Sequence, residues 1–201
     1  MDKKKYGIYG GSFDPIHVGH VALADCAVRE CELDKLIFMP AYISPFKQDR
    51  QVTPGRDRCG MIETVLGLNS AFCLSTYELG KIGPSYTIET LKHWKQLLDG
   101  ELYFVLGFDS AVQLDTWYQG RKILSEYHII TARRPDTDYE EGMWIIDSFR
   151  REYGADITVL DMEPIDASST EVRNRVKEGR PITGLVPPGV EEYIIEHQLY
   201  K

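Results

Sequence analysis

No stretch of the 201 residues reaches the roughly 18 consecutive apolar positions that a membrane-spanning helix needs, so no span is expected. The basic start Lys3-Lys4-Lys5 leads into apolar residues that glycines interrupt at once, and the continuous apolar segment of a secretion signal is missing. A soluble, cytoplasmic protein is the expectation. Cysteine is scarce: Cys26, Cys31, Cys59 and Cys73 form no CxxC pair and share no zinc-like spacing with histidine, which leaves free thiols in a reducing compartment as the plain reading. Positive charge is in deficit, with 23 Lys and Arg against 31 Asp and Glu for a net of −8. That balance disfavours a non-specific binder of nucleic acid or anionic lipid, yet it permits a local basic pocket for a small anion. Internal repeats and low-complexity stretches are absent, as are the GxxxxGK[ST] and GxGxxG phosphate fingerprints.

What remains is an ordinary globular composition, 43% apolar and aromatic, in a chain long enough to bury roughly 70% of its unfolded surface. One domain over residues 1–201 is expected, with a helical C-terminal part from about residue 164. Strand-length apolar runs alternate with stretches of helical period, the pattern of a doubly wound parallel sheet in an α/β, Rossmann-like fold. The strands are expected at Tyr6 to Gly10, Leu36 to Pro40, Phe72 to Tyr77, Leu102 to Leu106, His128 to Ala132 and Ile157 to Leu160. Between them, Val21, Ala24, Val28 and Cys31 form an apolar stripe on a helix from Val18, and Met61, Val65 and Leu68 do so on the next. Ser85 reads as the N-cap of a helix bearing Ile88, Leu91, Trp94 and Leu98, with Asp99-Gly100 as its stop. Helices are also expected over Met143 to Tyr153, over Val172 to Lys177 and from Pro188 to near His197. The aperiodic segment Ala41 to Pro54 reads as a long functional loop and Pro135 to Glu141 as a second, acidic one.

The chemistry concentrates in GGSFDPIHVGH, Gly10 to His20, between the first strand and the first helix. In a parallel sheet that junction lies at the carboxyl edge of a strand, where ligands bind. Gly10 and Gly11 let backbone approach a phosphate, and Pro15 ends the strand. His17 and His20, three apart, share a face at the positive end of the helix, an arrangement suited to a polyphosphate. Further on, Ser168 with Glu171 forms a capping box, and Arg173 lies one turn inside that helix.

The first segment resembles the HxGH signature of the nucleotidylyltransferase superfamily, and Ser168-Ser169-Thr170-Glu171-Val172-Arg173 resembles its second, ISSTxxR-like signature. Ser85-Tyr86-Thr87 with Thr90-Leu91, Gly107-Phe108-Asp109, Trp117-Tyr118, Arg133-Arg134-Pro135 and the ending through Leu199-Tyr200 are similar to segments of the bacterial nicotinate-nucleotide adenylyltransferases. The likeness runs the length of the chain in the family's order. It implies transfer of AMP from ATP to nicotinic acid mononucleotide, giving deamido-NAD and pyrophosphate with Mg2+ as cofactor. It further implies that His17 and His20 bind the reacting phosphates, with Gly10, Gly11, Ser12, Phe13 and Lys47 beside them. Gly107, Asp109 and Arg134 would hold the adenosine part, and Ser169, Thr170 and Arg173 the leaving pyrophosphate. Thr87 and the Tyr118 backbone would meet the nicotinate carboxylate, with Trp117 stacked on the ring.

Taken without the resemblance, Trp117 reads as a core aromatic, Asp109 as a helix cap and Arg133-Arg134 as a solvated strand end. The loop after the second strand departs from the family, with Ser44-Pro45-Phe46-Lys47 where a histidine usually precedes the cation. Other readings of the same signatures are adenylylation of the amide mononucleotide or of phosphopantetheine, and a non-catalytic nucleotide sensor. No protein nucleophile is expected, because phosphoryl-type transfer asks mainly for positioning and charge stabilisation. No dedicated carboxylate cluster for the metal is evident.

Overall fold

A computed structural model of the chain describes residues 3–42, 52–81, 85–133, 139–163 and 165–201. Lys47 and Phe46 in the first expected loop, and Arg134 just before the second, lie outside those residues. Among the described residues, six strands form one parallel sheet: β1 (Lys4–Gly11), β2 (Lys35–Pro40), β3 (Phe72–Leu74), β4 (Gly100–Val105), β5 (His128–Ala132) and β6 (Ile157–Leu160). Their spatial order is β3-β2-β1-β4-β5-β6. Each crossover carries helix: α1 (Val18–Cys31), α2 (Gly55–Leu66), α3 (Thr87–Leu97), α4 (Phe108–Ala111) with α5 (Gly120–Glu126), and α6 (Tyr139–Tyr153), followed by α7 (Ser169–Lys177) and α8 (Pro188–Glu196).

The period-2 side-chain alternation of the strands divides the core in two. Tyr9, Leu36, Phe38, Val105 and Ile130 face one layer with residues of α1, α2, α7 and α8. Ile8, Ile37, Met39, Phe104 and Ile129 face the other, with α3, α5 and α6. This is the doubly wound α/β architecture expected from the alternation.

The differences from expectation are local. β3 stops at Leu74 because Tyr77 N–H turns back to the Ser75 hydroxyl, 3.2 Å, and starts a turn. β4 begins at Gly100, where a side chain would strike the Lys4 carbonyl, so the expected helix stop is the first strand residue instead. The buried face of α1 is Leu23, Ala24, Cys26 and Ala27, rotated from the stripe expected, and Val21, Val28 and Cys31 flank it. Leu68 lies past the end of α2 and is 61% exposed. α6 begins at Tyr139, so Glu140 and Glu141 occupy its first turn, where the helix dipole favours carboxylates. α3 has Tyr86, not Ser85, at its N-cap position. All four cysteines are free.

Candidate active site

In the order 3-2-1-4-5-6 the carboxyl ends of β1 and β4 lie side by side while their connections leave on opposite faces, which opens a crevice between them. A cavity of about 580 Å³ fills that crevice. It is lined by Gly10, Gly11 and Ser12 at the exit of β1, by His17 and His20, and by Ser169, Thr170 and Arg173 of α7. Gly107 and Asp109 after β4, Thr87 at the start of α3, and Trp117 and Tyr118 complete the wall. Thirteen of the sixteen site residues expected from sequence therefore share one cavity, although α7 is more than 150 residues from β1 in the chain. Lys47 and Arg134 fall outside the described residues. Phe13 differs: its side chain is buried, edge-on to Tyr9 at 5.3 Å and to His20 at 5.2 Å, and it supports the histidine from behind.

His17 occupies the N-cap position of α1 in extended backbone conformation. Its N–H donates to Nδ1 of His20 at 3.2 Å, and the two rings stack with centroids 3.7 Å apart. Residue 19 is glycine for a spatial reason, because a Cβ there would lie 3.2 Å from the His17 ring. Both imidazoles are thus set by the first helical turn.

The loop that carries them is held through its carbonyls. The Gly11 carbonyl accepts from Ala41 N–H at 2.9 Å and the Ser12 carbonyl from Arg58 Nη1 at 2.7 Å. The Asp14 carbonyl accepts from Arg173 Nη1 at 2.7 Å, and the Pro15 carbonyl from the Ser169 hydroxyl at 2.9 Å. The last two bonds join the two signatures directly. Ser168 caps α7 by accepting from Glu171 N–H, 3.1 Å, but the reciprocal half of a capping box is not made: the Glu171 carboxylate binds Arg175 at 2.6 Å.

Sequence reasoning missed the support behind the loop. Arg58 is 2% exposed; burial pushes its pKa down and the charge of Asp14 opposes that. The Asp14 carboxylate accepts from the Tyr200 hydroxyl at 2.8 Å and from Thr53 N–H at 3.4 Å. Burial, then the nearness of Asp14, pushes the Tyr200 phenol well above its ordinary pKa. A contact spanning 186 residues leaves no local pattern in a sequence. Glu78 was missed as well. It lines the cavity, 6% exposed, and burial raises its pKa while hydroxyls that donate to it act the other way.

At the opposite side of the cavity, Asp109 lies in the first turn of α4 and is exposed, so it does not cap that helix; Gly107 holds the cap position. Trp117 is half-buried with its indole 6.3 Å from Phe104 in a T-shaped pair, and Tyr118 packs on Tyr86 at 4.6 Å. Trp117 is therefore an aromatic wall of the cavity and not a fully enclosed core residue. Arg133 lines the cavity with its guanidinium 4.7 Å from the Tyr139 ring centre. Among the described residues no group of three His, Cys, Asp or Glu side chains is placed to hold a metal ion, and no helix is long and apolar enough to cross a membrane.

The cytidylyltransferase-like family model matches residues 8–175, which include both histidines and Arg173. A probable nicotinate-nucleotide adenylyltransferase of Desulfitobacterium hafniense is 39% identical over 98% of this chain and 96% of its own length. One from Clostridium perfringens is 37% identical over 98% of each. A solved structure of the Plasmodium falciparum nicotinic acid mononucleotide adenylyltransferase, complexed with NaAD, superposes with a TM-score of 0.81 at 23% identity, covering 98% of this chain and 97% of that one. The fold, the crevice and the two joined signatures agree with these likenesses: the chain belongs to the cytidylyltransferase-like family, among its nicotinate-nucleotide adenylyltransferases.

Proposed function

We propose that this chain transfers AMP from ATP to nicotinic acid mononucleotide, releasing pyrophosphate and forming deamido-NAD for NAD biosynthesis. The observation that carries the reading is the bonding of one signature to the other, Arg173 and Ser169 to the Asp14 and Pro15 carbonyls, across a cavity with an aromatic wall. The relatives' names point to the same reaction.

An ionised phosphate oxygen of the mononucleotide attacks the α-phosphorus of ATP. A new P–O bond forms there while the bond to the β-phosphate bridging oxygen breaks, and that oxygen leaves on pyrophosphate. The nucleophile already carries its charge, so no general base is assigned. His17 and His20 donate hydrogen bonds to the transferring phosphate at the N-terminus of α1, and Thr170, Arg173 and the backbone N–H of Ser169 do so to the departing pyrophosphate. Gly107 and Asp109 take the adenosine part, together with Arg134. Trp117 stacks on the nicotinate ring while Thr87 and the Tyr118 backbone receive its carboxylate.

The donor set suits a metal that the triphosphate itself chelates, since Mg2+ is commonly held by substrate phosphates and one or two carboxylates. Mg2+ bound with ATP neutralises phosphate charge. A cytoplasmic setting, where ATP is abundant and thiols stay reduced, goes with this reading.

The test is pyrophosphate release with ATP and Mg2+, comparing the acid mononucleotide with its amide and with phosphopantetheine. Turnover on the acid is expected. Turnover on another acceptor alone, or ATP binding without turnover on any, would replace this reading with that acceptor or with a sensor.

A further inference from the structure

Glu78 sits between β3 and α3, is 6% exposed, and belongs to the cavity wall. Thr90, 2% exposed in the second turn of α3, donates its hydroxyl to Glu78 Oε1 at 2.6 Å. The Ser85 hydroxyl, 6% exposed, lies near the same carboxylate and favours its charged form. Ser85 Oγ in turn accepts from Tyr42 N–H at 3.3 Å, two residues past the end of β2. A carboxylate only accepts, so the Thr90 hydroxyl donates to Glu78, while Ser85 Oγ beside it takes the Tyr42 N–H.

Burying a carboxylate on two hydroxyls costs free energy that an apolar residue at the same place would not. What the charge supplies is directionality. An amide at position 78 has a donor as well as an acceptor, so its NH2 competes with Tyr42 N–H for Ser85 Oγ. Ser85 stands directly before Tyr86 and Thr87, which line the cavity, and Tyr86 packs on Tyr118. A shift of Ser85 is therefore passed to the first turn of α3.

We propose that Glu78 is a positioning residue for the acceptor substrate: bonded to Thr90 and lying beside Ser85, it fixes the first turn of α3 against the exit of β2, and so shapes the end of the cavity that takes the mononucleotide base. This rests on the assignment above of Thr87, Trp117 and Tyr118 to that base. The nucleotide end, at His17, His20 and Arg173, is carried by other elements, the start of α1 and α7.

The experiment measures KM for each substrate, with the wild-type chain on the acid mononucleotide as the control for the reaction itself; an inactive wild type refutes the functional reading and not this one. In an active background, Glu78→Gln is expected to raise KM for the mononucleotide about 10-fold and leave KM for ATP within about 2-fold, the pattern of lost positioning of one substrate. Ser85→Ala is expected to reproduce that split, and the Glu78→Gln/Ser85→Ala double variant to be no worse than either alone, because the two residues act as one unit. Ser85→Thr, which keeps the hydroxyl, is expected to restore a near-normal KM. Equal shifts in both KM values, no shift in either, or multiplying effects in the double variant would overturn the proposal. Ser85→Ala decides the matter should Glu78→Gln not fold.

Discussion

Tyr200→Phe removes one hydroxyl and keeps the ring, which makes it a clean probe of the support behind the signature loop. The lost bond is the 2.8 Å donation to Asp14 Oδ1, which leaves that carboxylate with the weaker contact from Thr53 N–H at 3.4 Å. A buried hydrogen bond to a charged group contributes about 1.5–3 kcal/mol. For a chain of this size each kcal/mol shifts Tm by roughly 2–4 °C, so a fall of about 3–12 °C is expected by calorimetry. The pH dependence sharpens the test. Burial raises the Tyr200 pKa in the folded state above the unfolded value of about 10. Below pH 10 the phenol is protonated in both states and its contribution is complete. As pH climbs past 10 the unfolded chain releases that proton while the folded one retains it, so stability falls toward the folded pKa. The phenylalanine variant has no such proton, and its deficit relative to wild type must narrow above pH 10. A Tm change under about 1 °C at neutral pH, or a deficit that stays constant through pH 11, would refute the reasoning.

Gly19→Ala is expected to favour the α1 helix by up to about 1 kcal/mol while its Cβ displaces the His17 ring. Turnover should drop about 10-fold with Tm unchanged or higher, read by pairing steady-state kinetics with thermal melts. Arg173→Lys removes the fork that binds the Asp14 carbonyl and Thr170 together, and kcat is expected to fall about 100-fold in a pyrophosphate-release assay. Gly120→Ala places a Cβ 1.8 Å from the Leu114 carbonyl oxygen, backbone against backbone with no flexible side chain to yield. A loss of about 3 kcal/mol in urea unfolding is expected, with a change in Trp117 fluorescence as the neighbouring turn moves.

The strand set and the start of α1 were legible because both rest on local, periodic signals: buried strands read as short apolar runs, and the HxGH spacing fixes two rings on one helical turn. Strand ends were less so, since β3 is cut short by a side-chain turn at Ser75 that no apolar pattern encodes. Ser85 looked like a helix cap because its residue type suits one; in the structure its oxygen accepts from Tyr42 N–H beside the buried Glu78, a choice made by tertiary neighbours. The cavity wall was legible largely through resemblance, as Trp117 shows: composition makes it core, and only its place beside the crevice makes it lining. The bonds of Arg58, Asp14 and Tyr200 were not legible, because they join the loop after β1, the second crossover's helix α2 and the far end of the sequence.

The loop from Gly11 to Pro15 has four of its backbone oxygens engaged, by Ala41, Arg58, Arg173 and Ser169. Electron-rich atoms that would repel an incoming polyanion are each already covered by a hydrogen, and two of the four covers are permanent cations. On the proposed function, this lets one small surface of a chain with net charge −8 admit several negative charges at once. The selectivity of the crevice for anions is set as much by which oxygens it hides as by which hydrogens it shows.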